Sequence, residues 1–122
     1  MVINGAGVST GIGDGMRFKV IVGEQIYAVE VADDLLEQAR AFHDKLDADM
    51  DRGWQMSREF VAHPDRLQRC QIVADRLLTS LSQGNEPTAM LMASYIALRM
   101  PGAIGVDIDT EGEMQNTEVL YA

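Results

Sequence analysis

The chain has 122 residues, 47% of them hydrophobic and 24% charged, with a formal net charge of −9. That length favours one domain with its own core, and the composition excludes a disordered chain. The charge argues against a nucleic-acid partner, because neutralising phosphates needs clustered Lys and Arg, and here the ten basic residues are scattered.

A cation, a basic partner or simple solubility fits the charge better. The single cysteine, Cys70, precludes an intrachain disulfide and suits a reducing, cytoplasmic setting. The most apolar run, residues 89–98, is too short to cross about 30 Å of hydrocarbon, so no membrane association is expected.

Residues 1–15 are rich in Gly, Ser and Thr and predict a flexible leader. They hold no positive n-region and no long apolar core, unlike a signal peptide. A phosphate-binding glycine loop would have to follow a buried strand and open a helix, and neither flank is present. Residues 17–32 read as a β-hairpin: Phe18, Val20 and Val22, then Ile26 to Val31, about a turn at Gly23-Glu24-Gln25.

Three helices follow. The first runs from Asp34 to Arg52, with Asp34 and Glu37 as a capping-box start and Leu35, Ala39, Phe42, Leu46 and Met50 as its apolar stripe. On its other face, Arg40–Asp44 and Lys45–Asp49 are spaced as ion pairs. Trp54, Met56, Phe60 and Val61 fall in a linker or short helical turn that packs on the core. The second helix has Pro64 in its first turn, Leu67, Cys70, Ala74, Leu77, Leu78 and Leu81 on one face, and Gly84 as its stop. Asn85 caps the third, which carries Pro87 in its first turn and runs to Met100. That helix is apolar nearly all round, as befits either a central helix or half of a homodimer interface. Ala103 to Ile108 is a third strand, while Val119-Leu120-Tyr121 is too short to assign. Over residues 17–82, a hairpin followed by a long acidic helix resembles in element order the bacterial cell-division proteins of the ZapA type; no site residue is carried over from them.

The run from Asp107 to Glu118 resembles the twelve-residue calcium loop of EF-hand proteins. Asp107, Asp109 and Glu111 stand at positions one, three and five, Gly112 at six and Glu118 at twelve. The resemblance implies a calcium ion held by Asp107, Asp109, Glu111, the backbone carbonyl of Glu113, and both oxygens of Glu118. The flanks depart from that family: Pro101, Gly102 and Gly105 precede the loop where a helix should enter, and four residues follow it where a helix should leave. The plain alternative is an acidic, solvated tail. Two further constellations are weaker. His43 and Asp47 are one helical turn apart and would need His63 or another acidic side chain to complete a metal site. Cys70 would need His63 or His43 as its base, yet it lies on an apolar stripe, where cysteine is usually inert.

The expected fold is α+β in the order ββααα(β). Its parts are a leader over 1–15, one domain over 16–108 and an acidic tail over 109–122. The leading functional expectation is a small cytoplasmic protein-interaction or adaptor domain without catalysis, self-associating through the third helix or the connector at Trp54. A calcium-binding regulatory domain using residues 107–118 is the alternative, and a small enzyme with an unrecognised site comes third.

Overall fold

Alternation along the first two strands sets the architecture. In β1 (Gly15–Val22) and β2 (Gln25–Ala32), Phe18, Val20, Val29 and Val31 are buried, while Arg17 and Lys19 between them are exposed. One face of the hairpin therefore seeks cover. The strands pair antiparallel across a tight turn in which Gly23 takes φ +62°. The computed structural model describes residues 15–122; the leader expected over residues 1–15 lies outside them, except Gly15, which opens β1 opposite Ala32.

Helix α1 (Asp33–Met50) follows β2 without a break. Ala32 stands at its N-cap and has no side-chain oxygen to offer, so the helix does not start on the expected capping box. Helix α2 (Arg66–Ser82) does begin on one. Asp65 Oδ1 accepts from the Gln68 amide at 2.8 Å, and Gln68 Oε1 accepts from the Asp65 amide at 2.9 Å. Pro64 thus precedes the cap rather than entering the first turn. Helix α3 (Glu86–Arg99) is capped by Asn85, as its sequence implies.

The chain then adds β5 (Ala103–Ile108) parallel to β1, followed by β6 (Glu118–Tyr121) antiparallel to β5. The mixed sheet has the order β2-β1-β5-β6, so β2 and β6 are its edges. Gly105 sits tightly against β1: a Cβ there would lie 2.3 Å from the Lys19 carbonyl oxygen. The helices cover the buried face of the sheet. Helix α3 packs against α1, α2, β2 and β5, with Ala89, Met92, Ala93, Ser94, Tyr95 and Ile96 buried. Much of its apolar surface is thereby buried within the chain of this α+β fold, while Leu98 stays exposed. No helix among the described residues is long and apolar enough to cross a membrane.

Two segments differ from expectation. Residues 54–61 are not a linker or helical turn but a two-stranded hairpin, β3 (Trp54–Met56) and β4 (Glu59–Val61), turning at Ser57 with φ +61°. Met56 is fully buried and Phe60 is exposed. Residues 109–122, expected as a tail, contain the short helical turn Met114–Asn116 and the edge strand β6. Thr117 is buried there, and Val119 packs against the core.

Candidate functional site

Among the described residues the acidic segment is a strand–loop–strand, not a helix–loop–helix. Asp107 on β5 and Glu118 on β6 are directly paired across the ladder, two like charges side by side. Gly112 makes a sharp turn at φ +87°. Asp109 Oδ2 is occupied within the loop, accepting from the backbone amides of Glu111 at 3.0 Å and Glu113 at 2.8 Å. Glu113 turns its own carboxylate to the Gln115 amide. The five residues nominated for calcium therefore share one hairpin. No group of three or more His, Cys, Asp or Glu among the described residues is placed to hold a metal ion.

The strongest polar constellation lies elsewhere, where the three helices meet. Asp47 of α1 accepts from Tyr95 Oη at 2.5 Å, from Arg99 at 2.7 Å and from Arg69 at 3.1 Å. Arg69 also reaches Asp51 at 2.7 Å, and Arg99 stacks over the Tyr95 ring at 4.5 Å. Burial by itself would raise the Asp47 carboxyl, but the Tyr95, Arg99 and Arg69 hydrogen bonds hold it below its ordinary value. The expected Arg40–Asp44 and Lys45–Asp49 pairs do not form among the described residues; the working carboxylate of this helix is Asp47.

One turn away, His43 Nε2 lies 2.9 Å from Ser94 Oγ and 3.2 Å from the Leu91 carbonyl. A Ser–His contact of this length invites a nucleophile–base reading. The proton inventory opposes it. Ser94 Oγ donates to Leu91 O at 2.7 Å, so its lone pair accepts from the imidazole N–H. Both side chains are sealed from solvent, at 2% and 0% exposure. Burial also pushes the His43 imidazole below its ordinary value, against the pull of the Leu91 carbonyl. Cys70 is buried, and burial pushes its thiol up to about 12, which removes the thiolate a nucleophile requires. His43 is turned to α3 and Asp47 already accepts from three donors, and no third metal-ligating side chain joins them among the described residues.

Among the described residues, an accessible groove lies beside β6. It measures about 450 Å³ and runs between the start of α2 and the edge strand. Leu67, Met100, Val119 and Tyr121 give it an apolar lining; Gln71, Gln115, Thr117 and Glu118 supply the polar atoms. Among the described residues, Leu67 and Tyr121 are two of the large apolar side chains left exposed, at 43% and 52%. Gln71, although buried, spans the upper end, donating from Nε2 to the carbonyls of Gln115 and Thr117 at 3.0 Å each. Sequence reasoning missed this site because most of its lining comes from β6 and the turn before it, and the three apolar residues of β6 carry no periodic signal. Comparison with protein-family models, with curated proteins and with solved structures finds no match to this chain.

Proposed function

We propose that the chain is a protein-interaction or adaptor domain that works without catalysis, docking a peptide segment in the groove between α2 and β6. The observation that carries this reading is the combination at one place of an unpaired strand edge and an exposed apolar lining. A strand edge offers main-chain hydrogen bonds to an incoming chain, and the pockets beside it select side chains. The candidate nucleophiles support the same reading, since Cys70 and Ser94 are buried and held in the protonated or hydrogen-bonded state.

Selection of a random peptide library displayed on phage tests it. Clones enriched on the wild type should lose at least about tenfold in affinity, equivalent to about 1.4 kcal/mol, for Leu67→Glu. The same clones should bind Phe60→Glu and Ile26→Glu unchanged, since those exposed residues lie on β4 and β2. Enriched clones that ignore Leu67→Glu, in a variant with an unaltered thermal melt, would contradict the reading.

A further inference from the structure

Resting on that docking reading, we infer that the occupant is an extended segment that adds to the free edge of β6 as a fifth strand and carries a basic residue toward Glu118. Two independent features specify it, one from the backbone and one from charge.

The backbone feature begins at Thr117. Its φ and ψ of −65° and 133° are extended, and its carbonyl is taken by Gln71 of α2. Backbone polar groups alternate sides along extended chain, so those of Val119 and Tyr121 project the same way as the Thr117 carbonyl. Gln71 satisfies the first outward position, and among the described residues no side chain bonds the next two, which face the free side of an edge strand. An incoming strand can pair with Val119 and Tyr121 and must end, or turn away, at Gln71. Its inward side chains then meet the lining formed by Leu67 and Met100.

The charge feature is Glu118. It lines both the apolar groove and the polar hollow that holds Asp107, Asp109 and Asn116. It is paired across the ladder with Asp107, and neither carboxylate has an ion-pair partner among the described residues. Glu59 approaches the same end of the groove through its hydrogen bond from Gln115 at 2.9 Å. Like charges directly opposite on a ladder repel, and a Lys or Arg from the added strand relieves that repulsion. A second copy of this chain, also at net charge −9, would instead bring another Glu118 to the same edge. Charge therefore favours a basic partner over self-pairing.

Three synthetic peptides of about ten residues separate these elements: alternating Val and Lys, alternating Val and Glu, and the Val/Lys peptide with alternate backbone nitrogens methylated. Binding is read from amide shifts in the full chain. The Val/Lys peptide should shift residues 117–121 and 67–71, and the other two should bind at least about tenfold more weakly. Glu118→Gln should weaken the Val/Lys peptide several-fold, and Glu111→Gln, on the exposed loop, should not; equal losses would reduce the effect to bulk charge and overturn the inference. Equal binding of the Val/Glu peptide would overturn the basic specificity while leaving the docking reading intact. Equal binding of the methylated peptide would overturn strand addition. Shifts at β6 that grow with protein concentration before peptide is added would give the edge to a second copy and overturn the inference. If none of the peptides perturbs β6 or α2, the docking reading falls with it.

Discussion

Asp47 and Asp44 look alike in the sequence: both are acidic residues on one helix, each with a basic residue within a turn. In the fold, Asp47 joins α1 to α2 and α3 through Arg69, Arg99 and Tyr95, while Asp44 stays exposed. Removing Asp47 takes the acceptor from Arg99 and the Tyr95 phenol, while Arg69 keeps Asp51 and the Pro64 carbonyl. Asp47→Ala should therefore cost about 2–3 kcal/mol in urea unfolding, reduced from the fully buried case because the carboxylate is partly solvated. Asp44→Ala should cost less than about 1 kcal/mol. Equal losses would mean the network contributes nothing beyond a surface pair. No spacing rule could separate the two aspartates, because the partners of Asp47 come from helices distant in sequence. The burial of Cys70, in contrast, was legible, since its position on the apolar stripe implied it.

His43 adds a pH dependence at the same scale. Its folded imidazole titrates below the ordinary value of 6.5, while the unfolded one titrates near it. Arg99 opposes protonation, Asp47 and Asp44 favour it, and the Leu91 carbonyl and Ser94 hydroxyl of α3 already engage the ring. Above pH 6.5 the group is neutral in both states and its contribution is fully present. As pH falls from 6.5 toward the lowered folded value, the unfolded chain binds the proton first, so stability declines. Unfolding free energy should fall between pH 7 and pH 5 in the wild type and change less in His43→Gln. An identical slope in both would exclude His43 as the source.

Among the elements, the β1–β2 hairpin, α2 and α3 could be read from the sequence because each carries a full period of apolar residues and a recognisable end. Gly84, for example, stops α2 with φ +69°. The strands β3, β4 and β6 could not. Each spans three or four residues and exists because a partner strand supplies its hydrogen bonds. The buried stripe of α2 makes Leu77→Ala costly, about 2–5 kcal/mol, whereas Leu98→Ala on the exposed side of α3 should cost below about 1 kcal/mol. Gly105→Ala tests the ladder. The added methyl would meet the Lys19 carbonyl, so β1 and β5 must separate or the strand must shift. A melting temperature more than a few degrees below wild type is expected; an unchanged one would mean the two strands have slack at this register.

At the scale of the whole molecule, the sequence implied three helices and a partial sheet but not the placing of β1 between β2 and β5, which makes β6 an edge. That order arises from a parallel return made after three helices, a long-range pairing with no local signature. It also leaves the β6 edge open to the docking proposed above. Among the described residues, the exposed large apolar side chains are Leu67 and Tyr121 at the groove, and Ile26, Phe60 and Leu98 singly elsewhere. The most direct measurement is a set of intermolecular nuclear Overhauser contacts between isotope-labelled protein and the unlabelled Val/Lys peptide. Peptide backbone protons should show cross-strand contacts to the amides of Val119 and Tyr121, with peptide valine methyls against Leu67 and Met100. Contacts that fall instead on β2 around Ile26, or on the β3–β4 hairpin around Phe60, would contradict docking at the α2–β6 groove.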